Sequence, residues 1–220
     1  MELYDVMRTT GAAREFTDAT VPAATLHRIL DHARFAPSGG NQQGWHVTIV
    51  RDRAIRRRLG ELSATTWARY LAESIAGYRS YNPVHPAPAD LAVPDGLPAN
   101  AMLDHLEDVP EVLVVSVDLR VLAVLDKDLD RFSVVGGGSI YPFCHNVLLA
   151  ARNEGMGGVL TTFVVASEPE VVPLLGLPEG HALVAMICLG EPVHQPTKLK
   201  RNPVESFATI DRFDGEPFTV

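Results

Sequence analysis

Three groups of residues in this chain have the types and spacing to hold an anionic, heteroaromatic ligand. Arg8 and Arg14 flank a turn of sequence RTTGAAR, and Lys198, Lys200 and Arg201 stand together far along the chain in KLKRNP. Guanidinium and ammonium groups form charge-assisted hydrogen bonds to phosphate, although a run of charges is also what a solvated face looks like. Pro37-Ser38-Gly39-Gly40-Asn41-Gln42-Gln43 gathers small and amide residues, without a charge, just ahead of Trp45. Such groups suit the donor and acceptor edge of a heterocycle. Gly158-Val159-Leu160-Thr161-Thr162 offers backbone and two hydroxyls at a strand start, which the β-propensity of threonine explains equally well.

Other chemistries lack a residue set. Ser38 is not in a GxSxG elbow, no paired carboxylates stand out, and the eight histidines include no HExxH spacing. His46 and His145 read as core or interface residues. Cys144 and Cys188 sit in apolar stretches without CxxC spacing, as buried small hydrophobes do. Two glycine clusters invite a dinucleotide-fold reading, which needs a strand before and a helix after the glycines. Gly155-Met156-Gly157-Gly158 does the reverse. Gly136-Gly137-Gly138-Ser139 follows the weak strand Val134-Val135 and lacks GxGxxG, so it reads as a flexible loop and helix start. A chain without evident catalytic side chains points to a cofactor that carries the reaction itself. FMN requires cations for its phosphate, amides or hydroxyls for its ring edge and a hydrogen-bond donor near N5, and the three groups above offer each.

The formal net charge is −8, with 19 basic against 27 acidic residues. This argues against nucleic acid as the main partner, which needs a concentrated basic face, but admits a small anion held by a few local cations. The 220 residues, 46% hydrophobic, suit one domain over 1–220 with a full core. MELYDVMRTT has no apolar signal region. No apolar run reaches the roughly 18 residues that span a bilayer. A cytoplasmic protein without a membrane partner is the expectation.

The elements that must position these residues follow from periodicity. A short helix is expected over 2–8 and a second from Pro22 to Phe35, where Leu26, Ile29, Leu30 and Ala33 share one face. HVTIVR at 46–51 alternates as a strand, and 52–76 reads as helix. EVLVVSVD at 111–118 is apolar enough for a sheet interior. The helix over 138–154 requires Pro142 in its first turn, with Gly155 as its cap. Strands are expected at 158–165 and 182–190, and a short helix ahead of the turn at 174–178. Between these lie a Pro-rich insertion at about 78–105, read as a lid or a dimer arm, and an extended, polar tail at about 195–220. Helices and strands mix without a βαβ rhythm, which predicts an α+β fold with a mixed, mainly antiparallel sheet flanked by helices.

Taken together, the pieces resemble the nitroreductase family. ARFAPSGGNQQGWHVTIVRD is similar to the family's APSxxNxQPW segment, and Arg14-Glu15-Phe16 with Val21-Pro22 to the end of its RRSxRxF…P entry motif. HNVLLAARNEGMGG resembles QNLLLAAxxLGLGS, and Leu160-Thr161-Thr162 falls where several branches carry a Thr pair. LGLPEGHALVAMICLGEP and KRNPVESF resemble the closing strand and the KxR-P segment. The order is preserved from about residue 5 to 207.

The resemblance implies a nitroreductase-like fold, an intertwined homodimer and FMN at its interface, with NAD(P)H as reductant. By position, Arg14 and Arg201 would hold the phosphate, supported by Lys200. Pro37, Ser38, Gly39 and Asn41 would come from the partner chain, Gln43 would lie near the flavin edge, and Leu160, Thr161 and Thr162 along the ring near N5. The family's RRS reads Thr10-Gly11-Ala12 here, which removes two cations and a hydroxyl. Arg8 is placed to compensate, with Thr10 beside it. The family's QPW reads Gln43-Gly44-Trp45. Losing charge-assisted bonds of roughly 1.5–3 kcal/mol each lowers the expected flavin affinity. The implied reaction is ping-pong hydride transfer through flavin N5 to a nitro compound, quinone or activated alkene, without a catalytic side chain. Trp67 and Tyr70 could wall the substrate side or be ordinary core. Two alternatives stay open: specialised flavin chemistry such as dehalogenation or flavin fragmentation, and a non-catalytic flavin-binding or sequestering protein.

Overall fold

Four strands form one sheet in the order β1-β2-β4-β3, with every pair antiparallel, in the computed structural model, which describes residues 1–220. They are β1 (Trp45–Val50), β2 (Glu111–Asp118), β3 (Gly157–Thr161) and β4 (His181–Gly190). The inner positions explain the sequences of β2 and β4. Leu113, Val115 and Val117 face one layer and Val112 and Val114 the other, and all five are buried. A strand covered on both faces reads as continuously apolar rather than alternating.

Six helices cover this sheet: α1 (Leu3–Thr9), α2 (Ala23–Ala33), α3 (Arg53–Ile75), α4 (Ala101–Asp104), α5 (Tyr141–Asn153) and α6 (Glu168–Leu175). On one face Leu26 and Ile29 of α2 and Phe143 and Val147 of α5 pack on Leu113, Val115 and Ile187. On the other, Leu59 of α3, Leu103 of α4 and Val171 of α6 pack on Val112, Val114 and Met186. Each fully buried aliphatic side chain contributes about 1.5–3 kcal/mol. The helix ends follow local chemistry. Asp52 caps α3, its carboxylate accepting from the amides of Ala54 and Ile55 at 2.8 and 3.0 Å. Pro142 lies in the first turn of α5, where its missing N–H is no loss. Gly155 beyond that helix has φ +83°, a conformation glycine adopts freely.

Several expectations are corrected. The strand expected to reach residue 165 ends at Thr161, and Phe163–Ser167 forms a 3-10 turn. The central helix starts at Tyr141, not 138, because Val135–Ser139 is itself a 3-10 turn. His46 and His145 are exposed on the single chain, which removes the core half of their core-or-interface reading. The insertion is shorter than expected, since α4 returns the chain to the core with Leu103 and Leu106 at 1% and 0% exposure. The tail is neither simply extended nor polar. A bridge between Thr209 and Pro217 folds it into a small hairpin that exposes Phe207, Ile210, Phe213 and Phe218. No helix is long and apolar enough to cross a membrane.

Candidate cofactor-binding site

The segment after α1 is laid against the edge of the sheet. Thr10 ends α1, its hydroxyl donating to the Val6 carbonyl at 2.7 Å. Ala12 then forms a parallel bridge with Gly158, and the Ala13 N–H donates to the Gly158 carbonyl at 3.0 Å. Further on, Val193 donates to Glu15 and Thr17 to Glu191, at 3.0 and 2.9 Å. In this extended stretch Ala13 is buried and Arg14 exposed, as side chains on alternate sides of a strand must be. The approach requires glycine. A Cβ on Gly157 would lie 2.9 Å from Cβ of Ala13, and one on Gly158 would lie 2.5 Å from Leu189 Cδ2 and 2.9 Å from the Cys188 carbonyl. The second glycine cluster thus serves close packing.

The C-terminal basic segment meets the same turn. Gln195 donates its side-chain amide to the Thr9 carbonyl at 2.8 Å. Gly11 leaves the space into which Leu199 and Pro196 pack, since a Cβ there would be 3.0 Å from each. The Gly11 that departs from the family motif is therefore the seat of the tail, and it brings KLKR alongside RTTGAAR. Arg8, Arg14, Lys198, Lys200 and Arg201 make no salt bridge, although 11 of the 19 basic residues do. Arg201 donates only to the neighbouring Lys200 carbonyl, at 2.8 Å. None of these five cations is neutralised by a direct carboxylate partner.

Arg14, Trp67, Tyr70, Leu160, Thr161 and Thr162, from three separate stretches of sequence, line one pocket of about 530 Å³. Arg14 is its one charged residue. Trp67 and Tyr70 lie one turn apart on α3 and stack with ring centroids 5.7 Å apart at 9°. Phe163 meets both edge-on, at 5.5 and 5.7 Å. Phe163 is not evident from the sequence, where GVLTTFVV reads as one continuing strand. Thr161 is the signal for the turn: its hydroxyl accepts from the Phe163 amide at 3.4 Å, a local bond that competes with strand pairing. Asn100 and Met102 also line the pocket, at the start of a helix that periodicity could not show in four residues.

Residues 78–100 are docked on α3 rather than free. Arg69 and Glu73 pair at 2.8 Å, and Arg69 donates to the carbonyls of Pro88 and Leu91 at 2.5 and 2.8 Å. Glu73 accepts the Tyr81 amide at 2.6 Å. That amide, with Arg69, holds the Glu73 carboxyl below the usual carboxylate range. The Trp67 indole donates to the Pro98 carbonyl at 3.0 Å.

Other candidate residues do not line this pocket. Arg8, Thr10, Lys200 and Arg201 lie on the adjoining turn and tail. Pro37, Ser38, Gly39, Asn41 and Gln43 form a separate exposed loop. That loop is held tightly. Gly40, Asn41 and Gln43 have φ of 58°, 54° and 52°, and non-glycine residues in such conformations cost about 1–3 kcal/mol and persist where surroundings over-determine them. The Gln43 amide donates to the Ser38 hydroxyl, and the Gly39 amide to the Ser139 hydroxyl, each at 3.0 Å. Ser139, read from sequence as part of a flexible glycine loop, props the loop in place. No cluster of metal-ligating side chains is present. Burial pushes the thiols of Cys144 and Cys188 up to about 12, which leaves neither as a nucleophile.

Residues 8–191 match the model of the Nitroreductase family. An NADPH-flavin oxidoreductase of Vibrio harveyi is 32% identical over 103 residues, which is 45% of this chain and 43% of that protein. A protein of Thermus thermophilus named NADH dehydrogenase is 26% identical over 219 residues, 87% of each chain. Among solved structures, nitroreductase A of Vibrio parahaemolyticus superposes with a TM-score of 0.71 at 20% identity, covering 97% of this chain and 78% of that one.

Proposed function

The chain belongs to the nitroreductase family, and from that premise we propose that it is an NAD(P)H-dependent FMN oxidoreductase acting on electron-poor small acceptors. The observation that carries the reading is the convergence of Arg14 with Leu160, Thr161 and Thr162 on one pocket walled by Trp67 and Tyr70. Its volume of about 530 Å³ lies within the roughly 300–1,000 Å³ of small-molecule sites. An FMN phosphate fits the unpaired cations, with Arg14 and Arg201 as its holders and Arg8 and Lys200 in support. Thr10 stands beside them, its hydroxyl donating to the Val6 carbonyl and free to serve the phosphate only by turning away from it. Bound flavin would supply hydride chemistry between NAD(P)H and a nitro group, quinone or activated alkene.

The chain's own work is binding, orientation and exclusion of water. The end of β3 presents the Leu160, Thr161 and Thr162 backbone and hydroxyls to the ring edge. Trp67, Tyr70 and Phe163 form an apolar wall that limits water and favours stacked, planar ligands. Rate then comes from holding reactants face to face rather than from a protein nucleophile.

The working unit in this reading is a homodimer. Pro37, Ser38, Gly39, Asn41 and Gln43 stand outside the Arg14 pocket of their own chain. A rigid, strained loop with uncharged amides fits the ring of the partner's flavin. The exposed Phe207, Phe213 and Phe218 of the tail need covering, and a second copy supplies that cover.

The test is to load the purified protein with FMN without oxygen and add NADPH. Bleaching of the yellow flavin, followed by recovery on adding a nitroarene or quinone, supports the reductase. Bound flavin that never bleaches identifies a flavin-binding protein instead, and failure to bind FMN removes both.

A further inference from the structure

Beside the pocket just described lies a second cavity of about 360 Å³. Tyr70, Thr162 and Phe163 line both, so one aromatic wedge forms a wall common to the two spaces. The far side of the second cavity is made by Thr66, Tyr81, Val165 and Ala166. No charged residue lines it, whereas Arg14 lines the first.

The wall formed by Tyr81 is constrained. Tyr81 has φ +52°, and a bulky residue there is strained. Its amide is anchored on the buried Glu73 carboxylate at 2.6 Å, and its hydroxyl donates to the Thr66 carbonyl at 3.4 Å. Glu73 is in turn fixed by Arg69. Backbone strain held by the buried Glu73 carboxylate and its partly exposed partner Arg69 marks a surface whose shape is maintained. Tyr81 is thereby fixed as one wall of the second cavity.

We propose that this second cavity is an annex of the acceptor site and takes the apolar substituent of an elongated, uncharged acceptor whose planar head occupies the main pocket. The proposal rests on the reductase reading for the identity of the head group. The annex itself would bind apolar chains whatever the chemistry next door. The acceptor class is therefore a planar ring carrying an alkyl or aryl tail, not a zwitterion, for which the annex offers no countercharge.

Two measurements on the FMN-loaded protein test this separately. The first is calorimetric binding of redox-inert 4-alkylphenols, from methyl to hexyl. Affinity is expected to rise about threefold to fourfold per added methylene until the annex fills, and in Ala166→Phe, or the milder Ala166→Leu if the first does not fold, the rise should stop short. The second compares kcat/KM for nitrobenzene and 4-hexylnitrobenzene with NADPH. The hexyl compound should be favoured in the natural protein, and that preference should fall at least tenfold in the variant while nitrobenzene turnover stays unchanged. Chain-length dependence without turnover of either nitro compound upholds the annex and defeats the reductase reading. Turnover of both with no chain-length dependence, as expected if a second copy fills the cavity, overturns the annex alone.

Discussion

The Ala13 N–H donates to the Gly158 carbonyl at 3.0 Å, and this bond sets Arg14 beside the end of β3. It forms only because residues 157 and 158 carry no side chains. Gly158→Val would force a Cβ to 2.5 Å from Leu189 Cδ2 and 2.9 Å from a carbonyl. We expect a loss of about 1–3 kcal/mol from overpacking, read by denaturant titration, with weaker FMN binding in the fraction that folds. Unchanged stability and flavin affinity would show that the close approach is unimportant.

Arg14 is the single charged residue of the main pocket. Arg14→Ala should raise the FMN dissociation constant roughly 10- to 100-fold, the equivalent of one charge-assisted hydrogen bond. Arg201→Ala should act in the same direction, and neither should change the melting temperature much, because neither side chain makes a salt bridge. Flavin fluorescence titration of each variant is the check, and an unaltered affinity removes that residue from the phosphate site.

Glu73 accepts from both Arg69 and the Tyr81 amide. In Glu73→Gln one acceptor becomes a donor facing another donor. The segment 78–100 should then loosen, so limited proteolysis should nick it faster than in the natural protein. Equal cleavage rates would mean that the segment is held elsewhere.

Asp126 is 4% exposed. The Val134 amide, the Ser133 hydroxyl and Arg131 hold its carboxyl well below the usual carboxylate range. A depressed folded-state value contributes stability above the unfolded value, about pH 3.9, and loses it as pH falls below that toward the folded value. Asp126→Asn should therefore lower the melting temperature at pH 7 and show less further loss between pH 4 and 2.5. Parallel curves for the two proteins would contradict this.

Cys144 and Cys188 are both fully buried, with thiols pushed up to about 12 by desolvation. A thiol-specific disulfide reagent should label neither in the native protein and both after unfolding. Rapid native labelling would show an opening of the core at α5 or β4.

Much of this was legible in the sequence because short-range pattern decides it. The i, i+3, i+4 spacing of Leu26, Ile29 and Leu30 fixes α2, and the apolar run of β2 identifies a strand buried on both faces. Arg14, the Thr161–Thr162 pair, Trp67 and Tyr70 could be named, and they meet in one pocket. What could not be read depends on distant partners or on a single local bond. The anchoring of 78–100 lies in Arg69 and Glu73, ordinary helix-surface residues by sequence. Ser139 supports Gly39 across 100 residues. Phe163 swings into the pocket because Thr161 bonds locally instead of extending β3. The tail reads as polar in sequence because its acidic and basic residues mask Phe207, Phe213 and Phe218.

In the proposed homodimer, one chain's Arg14 pocket and the other chain's Ser38–Asn41 loop build each flavin site. Mixed dimers of Arg14→Ala with the double variant Ser38→Ala/Asn41→Ala, isolated through two different tags, test it directly. One of the two sites in such a dimer would combine an intact Arg14 with an intact loop. Tight FMN binding is expected to return at one flavin per mixed dimer, although each parent binds weakly. Mixed dimers that bind no better than their parents would contradict it.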